Sequence, residues 1–189
     1  IAEGEFVGFI GIIDLEVFDT IAALCLHVAL VDDIVDLAAN HLRHREHKNS
    51  CCVHGIIEIS NTCAEQCHYC GISALNRTLK RYRMSKEEVL EAVRAAVKEH
   101  GFKALVLQSG EDPGRSLDEL VGIVAEIKRR FGVLVFVSFG EVGAEGLERL
   151  YEAGARGLLL RFETSNPELY AQLHPGCTLE DRLAEIRKA

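Results

Sequence analysis

Apolar residues at Ile21, Leu24, Val28, Val31, Val35, Ala38 and Leu42 recur at alternating steps of three and four. That is the stripe of an amphipathic helix, and it predicts one from about Asp19 to His44, with Asp19 or Thr20 at its cap. Such a stripe packs on a neighbouring domain or pairs as a short coiled coil. His41, His44 and His47 follow at helical spacing inside the charged run HLRHREHKN, which predicts a solvated helix end rather than a metal site. From residue 55 the pattern changes to short apolar runs alternating with amphipathic stretches. Gly55–Ser60, Ala104–Gln108, Leu134–Ser138 and Gly157–Arg161 predict strands. Ser85–His100, Ser116–Arg130, Ala144–Ala153 and Leu179 to about Lys188 predict helices. Three of these open on boxes that satisfy the first free N–H groups: Ser85 with Glu88, Ser116 with Glu119, and Thr178 with Asp181.

The chain therefore divides into a helical segment, 1–50, and a β/α region, 51–189. Short strands that are apolar nearly throughout fit a parallel sheet covered on both faces. Strict β–α alternation over four units leaves an open doubly wound sheet or a (β/α) barrel, and in both the chemistry belongs at the C-terminal strand ends. The polar residues gather there. Asn61 to Cys70 follow the first strand and Ser109-Gly110-Glu111-Asp112 the second; Ser138 to Glu141 follow the third, and Arg161-Phe162-Glu163 end the fourth.

Charge narrows the partners. The formal net charge is −8, and residues 1–40 hold eight acids with no Lys or Arg, so the remainder is balanced. No basic face is indicated, which counts against nucleic acid or an anionic membrane as a partner. The longest uncharged apolar stretch, Thr20–Val31, has 12 residues, short of the ~20 that span a bilayer. There is no secretory signal pattern. The seven cysteines are an odd number with three in eight residues, so metal or redox chemistry in a reducing cytoplasm is expected rather than disulfides. The chain begins at Ile1 and is read as lacking its true N-terminus.

Cys63-x-x-x-Cys67-x-x-Cys70 lies directly after a strand, so three thiolates on one loop can converge on a metal centre. A closed zinc site needs four N or S ligands, and His68 is the only other nearby candidate. A 4Fe–4S cluster ordinarily takes four thiolates, so three leave one iron open to a small molecule. The cluster is the favoured reading; structural zinc and packed thiols are the alternatives.

CxxxCxxC with the aromatic Tyr69 before the last cysteine, after the first strand of a β/α series, resembles the radical S-adenosylmethionine (radical SAM) superfamily. Within it, GIIEISNTCAEQCHYCGI, the RYRMSKEEVLEA helix, LVLQSGEDP, SFGE and RFETSNPELYAQLHP resemble the HydE family of maturases, which help to assemble the active-site cluster of FeFe hydrogenase. Biotin synthase and methylornithine synthase are near relatives. The likeness runs from about Leu37 to Arg187.

The resemblance implies a 4Fe–4S cluster held by Cys63, Cys67 and Cys70. Its open iron chelates the amino and carboxylate groups of SAM, which one electron cleaves to a 5′-deoxyadenosyl radical. Tyr69 is implied near the adenine. Gly110 and Glu111 fall on the segment that recognises the SAM amino group, and Glu163 and Arg182 match further SAM contacts. Ser138, Gln108 and Arg161 are implied near the substrate, an amino-acid-like or small organometallic unit such as a cysteine-bound iron carbonyl–cyanide. Maturation partners and an electron donor such as ferredoxin or flavodoxin are implied too. Each position has a plainer reading. Glu163 could be a surface acid at a helix cap, Arg182 a solvated helix residue and Ser138 a strand end, while Arg161 could simply pair with Glu163.

The resemblance also implies a TIM-type barrel, of which eight units would take about 250 residues. This chain offers about four, so it is expected to be the first half of such a barrel, and a non-catalytic cluster-binding half-barrel is an alternative. His54 stands where the family more often has Arg. Gly140-x-x-Gly143-x-x-Gly146 is not a dinucleotide fingerprint and predicts a turn. Cys51-Cys52 are expected to be filler thiols beside the first strand, Cys177 to lie on a loop surface, and the Asn76-Arg77-Thr78 sequon to be without effect in a reducing compartment.

Overall fold

The computed structural model describes residues 31–48 and 53–189. Helix α1 (Val31–His47) forms a unit apart from the β/α region. It ends three residues beyond the expected His44. Leu37 and Leu42 are exposed on it, as are His41, His44 and His47 at the end where cations complement the helix dipole. The expected start of this helix, residues 19–30, and Cys25, Cys51 and Cys52 lie outside the described residues.

Residues 54–189 carry four strands, β1 (His54–Ser60), β2 (Ala104–Ser109), β3 (Leu134–Ser138) and β4 (Ala155–Leu158). Between and after them run α2 (Lys86–Lys98), α3 (Leu117–Phe131), α4 (Gly143–Ala153), α5 (Pro167–Leu173) and α6 (Leu179–Ile186). The sheet order is β1-β2-β3-β4 and every pair is parallel. A doubly wound sheet reverses its order at a switch point; this one does not, so the architecture is that of a partial (β/α) barrel.

Among the described residues the two faces of the sheet are unequally covered, although the apolar runs suggest cover on both. Alternate residues Ile59, Leu105, Leu107, Val135 and Val137 pack into one core with Val89, Val93, Ile123, Val124, Ile127, Leu147 and Leu150 of the helices. The opposite face of β1 exposes Ile56 at 63%. In register on that inner face, Glu58 pairs with Gln108 and Gln108 with Ser138, giving a polar row across the sheet.

Caps set the helix starts. Ser85 and Glu88 form the reciprocal box at α2. Ser116 accepts from the Glu119 N–H at α3, but the Glu119 carboxylate turns instead to Arg115 at 3.0 Å, so only half of the expected box forms. Thr178 caps α6 through the Asp181 N–H. Gly154, at φ +115°, ends α4 and leads at once into β4. That strand therefore begins two residues before the expected Gly157 and stops at Leu158. Arg156 masks its start: it sits in the strand with its guanidinium 4.5 Å over the Tyr151 ring. Helix α5 is absent from the sequence reading, although Asn166 at its cap and Pro167 in its first turn are the signals for one.

Candidate active site

Strand β1 delivers the cysteine loop through an irregular end. Its register with β2 shifts between Glu58 and Ser60, the kind of bulge that re-aims side chains beside sites. The loop is closed at its neck by Arg81. One guanidinium donates to the Asn61 carbonyl at 2.6 Å, before the cysteines, and to Ile72 at 2.6 Å, Ser73 at 2.7 Å and Asn76 at 3.2 Å after them. The buried Asn61 side chain accepts from the Tyr82 N–H and donates to the Lys80 carbonyl. The β2 turn lies directly on this loop. The Ala64 N–H donates to the Glu111 carbonyl at 2.9 Å, and a Cβ on Gly110 would stand 2.5 Å from both Cys63 Cβ and the Thr62 carbonyl oxygen.

Asp112 braces the outer side. It accepts from Arg83 Nε at 2.7 Å and Nη2 at 2.5 Å, from Ser60 Oγ at 2.7 Å and from the Gly114 N–H. The Arg83 bonds, aided by Ser60 and Gly114, hold its carboxyl down at about 2, from an ordinary 3.8. A carboxyl depressed in the fold stabilises it above the unfolded value, so this contribution is lost as pH falls from 3.8 through about 2. Asp112→Asn is expected to lower stability at pH 7 by about 1–2 kcal/mol, discounted because Arg83 is half-exposed. It should also flatten the acid limb, and urea unfolding at both pH values checks this.

Cys63, Cys67 and Cys70 open onto a cavity of about 310 Å³ at the C-terminal strand ends. Tyr69, Gly110, Glu111, Glu163, Arg182, Ser138, Gln108 and Arg161 line the same cavity, so all eleven residues singled out in the sequence are brought together. Burial pushes the Cys63 and Cys67 thiols up, and the neighbouring thiols add to this for Cys67. Metal binding here would therefore release protons. Among the described residues no three His, Cys, Asp or Glu side chains gather around one ion-sized position. Three free thiols facing a common space suit a larger polynuclear centre, one iron per thiolate, better than a single zinc.

Arg182 is buried rather than solvated. Its Nε lies 3.0 Å from Glu141 Oε1 and 3.2 Å from the Tyr170 hydroxyl, and Nη2 lies 3.9 Å from Glu111 Oε1. Burial and the charge of Glu65 raise the Glu111 carboxyl, which Arg182 opposes. Gly140, at φ +79°, has no room for a Cβ because the Glu111 side chain fills that space. Glu163 does not cap a helix; Asn166 does. Glu163 instead takes a left-handed backbone at φ +59°, a strain found at functional positions, and its carboxylate lies 3.4 Å from the exposed Arg161. Ser138 both ends β3 and faces the cavity.

Tyr69 donates or accepts at 2.7 Å with His174 Nε2. Burial raises its phenol well above the usual range, with Cys67 and Glu163 adding to it. The buried His174 and Tyr170, the partly buried Arg81 and the Arg182 partner Glu141 are structural members of the site to which the sequence alone assigns no role. All four lie within the quoted motifs: Arg81 in RYRMSKEEVLEA, Glu141 in SFGE, and Tyr170 and His174 in RFETSNPELYAQLHP. Cys177 is half-buried rather than on an open loop surface. Burial and Glu65, 3.5 Å away, push its thiol up to about 11. No helix among the described residues is long and apolar enough to cross a membrane.

The radical SAM superfamily profile matches residues 57–189. The "[FeFe] hydrogenase maturase subunit HydE" of Thermotoga maritima is 46% identical over 145 residues, 77% of this chain and 41% of that protein. The 3-methylornithine synthase of Methanosarcina barkeri is 31% identical over 154 residues, 80% of this chain and 43% of that protein. The crystal structure of methylornithine synthase (PylB) superposes with a TM-score of 0.80 at 28% identity, covering 92% of this chain and 51% of that one. The chain thus spans less than half the length of the HydE and 3-methylornithine synthase relatives and about half of the PylB chain. With a matching profile over most of its length and the cysteine cavity at the strand ends, the chain belongs to the radical SAM superfamily.

Proposed function

We propose that this chain forms the cluster- and SAM-binding part of a HydE-like maturase, acting on a small organometallic unit during assembly of the FeFe-hydrogenase active site. The observation that carries this reading is the convergence of eleven residues on one cavity, ten from the four strand ends and the loops after them and Arg182 from α6. Radical SAM proteins use a 4Fe–4S cluster and SAM, and the three free thiols fit that group. When bound, the reduced cluster supplies the single electron that cleaves the SAM C5′–S bond to methionine and a 5′-deoxyadenosyl radical.

Cys63, Cys67 and Cys70 would each hold one iron. Gly110 lets the β2 turn lie against Cys63, and Glu111 on that turn would receive the SAM ammonium. Arg182 offers a planar fork to the SAM carboxylate, and Glu141 and Tyr170 already fix its direction. Tyr69 would flank the adenine, and Glu163 would make a further contact with SAM. Gln108 and Ser138, beside Glu58 on the inner face, with Arg161 above them, would hold the anionic substrate. We take residues 51–189 as the first half of the barrel and 1–50 as a helical segment. The setting we propose is a reducing cytoplasm, with a one-electron donor such as ferredoxin or flavodoxin and maturation proteins as partners.

Anaerobic loading with iron and sulfide is expected to give broad visible absorbance, lost in a Cys63/Cys67/Cys70 triple-alanine variant. SAM is expected to change the EPR signal of the reduced cluster. Equal metal uptake by the triple variant overturns the site; a loaded chain indifferent to SAM favours a non-catalytic half-barrel. A second reading, an enzyme like methylornithine synthase or biotin synthase, rests on the PylB superposition. Release of 5′-deoxyadenosine with an amino-acid substrate, but not with an iron–cysteine complex, would select it.

A further inference from the structure

His174 is buried, 3% exposed, at the C-cap of α5, where one ring nitrogen is within reach of a last-turn carbonyl. Its Nδ1 lies 3.2 Å from the Tyr170 carbonyl. A carbonyl only accepts, so the proton belongs on Nδ1, and in that tautomer Nε2 is an acceptor. The group facing Nε2 is the Tyr69 hydroxyl at 2.7 Å, which therefore donates. The imidazole also stacks on Tyr170, with centroids 4.1 Å apart and planes 16° from parallel, and the Tyr170 hydroxyl accepts from Arg182 Nε. One continuous chain of contacts thus runs from the cysteine loop to α6. The His68 N–H adds a second tie, to the Leu173 carbonyl at 3.0 Å.

Tyr69 needs such a tie. It is 48% exposed, so packing on one side leaves its ring free to turn, whereas a hydrogen bond at the far end of the phenol fixes both its depth and its tilt. We propose that His174 is a positioning residue, holding Tyr69 across the mouth of the cofactor cavity and linking that aromatic wall to Arg182 through Tyr170. This rests on the reading of the cavity as the SAM site and adds to it a residue of the cavity lining that acts through Tyr69. A buried histidine with satisfied nitrogens could serve stability alone, in which case its loss would lower iron content, SAM affinity and melting temperature together.

The test uses the full chain, loaded with cluster under anaerobic conditions. His174→Leu is expected to retain iron while SAM binds roughly tenfold more weakly. His174→Gln, whose side-chain oxygen reaches where Nε2 sits, should restore most of that affinity; His174→Asn, which falls short, should not. In a Tyr69→Phe background His174→Leu should cost no further affinity, since the hydroxyl it holds is already gone. Additive losses, or no rescue by Gln, overturn the proposal. A cofactor-free readout separates it from the SAM reading. The ¹⁵N shift of His174 Nε2 should move on Tyr69→Phe in the metal-free chain. An unmoved shift sinks the positioning role even if SAM binds, whereas a moved shift with no SAM binding to the loaded wild type sinks the SAM reading alone.

Discussion

Gly110→Ala is expected to strip most of the iron-binding capacity from the chain while leaving its secondary structure in place. The added methyl would stand 2.5 Å from Cys63 Cβ, 2.5 Å from the Thr62 carbonyl oxygen and 3.0 Å from Cys63 Cα. Two of those three atoms are backbone, so no rotamer change relieves the contact. Either the β2 turn or the cysteine loop must retreat, and the Ala64–Glu111 backbone bond at 2.9 Å is what such a retreat breaks. Overpacking of this kind costs about 1–3 kcal/mol or more, a fall of roughly 2–12 °C in melting temperature at this size. The loss of geometry matters more than the loss of stability. Three thiolates that must meet one cluster tolerate little displacement, so iron per chain should fall below half of wild type after identical loading. Gly122→Ala supplies the control. It lies mid-helix in α3 with only the Lys86 Nζ tip within 4 Å, at 3.9 Å, and should raise stability slightly through helix propensity. Iron retained at wild-type level by Gly110→Ala would show that the two loops do not need this close approach.

Gly110 also shows what the sequence makes legible. The cysteine spacing and its place after an apolar strand identify the metal loop. Strand ends in a β/α series are where chemistry collects, which locates the site, but the roles of the other cavity residues come from the family resemblance, and Arg182 lies on a helix rather than at a strand end. Local signals fail where the determining contact is distant. Arg156 reads as a loop residue because a charged side chain is no strand signal; it stays exposed within β4, at the register shift against β3, with its guanidinium over the Tyr151 ring. The apolar run Leu158-Leu159-Leu160 reads as strand, yet only its first residue lies within β4. Arg182 looks solvated in an ordinary amphipathic helix, and its burial depends on Glu141 and Glu111, from two other β/α units. Helix α5 is a different case, since the Asn-Pro-Glu start is a local signal that lies inside the RFETSNPELYAQLHP stretch. Apolar strands imply two covered faces only when something lies on the second, and in this chain the polar row Glu58, Gln108 and Ser138 interrupts that face.

Arg81→Met is expected to open the cysteine loop at its base and to lower both stability and cluster retention. The four carbonyls it satisfies flank the three cysteines on both sides, so the guanidinium closes the loop much as a covalent staple would. A methionine keeps most of the aliphatic volume but leaves these acceptors to water or to nothing. Charge-assisted bonds contribute about 1.5–3 kcal/mol each when lost singly, and sharing one donor group makes them far from additive. A total near 3 kcal/mol is therefore expected, roughly 6–12 °C in melting temperature. Arg81→Lys should recover only a small part of this, because three donors on a compact ammonium cannot reach four carbonyls held in a planar fork. The two variants separate charge from geometry. Both should load with iron at first, and both should lose it to a chelator severalfold faster than wild type, since the loop now opens without unfolding the sheet. If Arg81→Lys instead holds its iron as long as wild type, positive charge beside the cysteines is what matters, and the four-carbonyl neck is incidental.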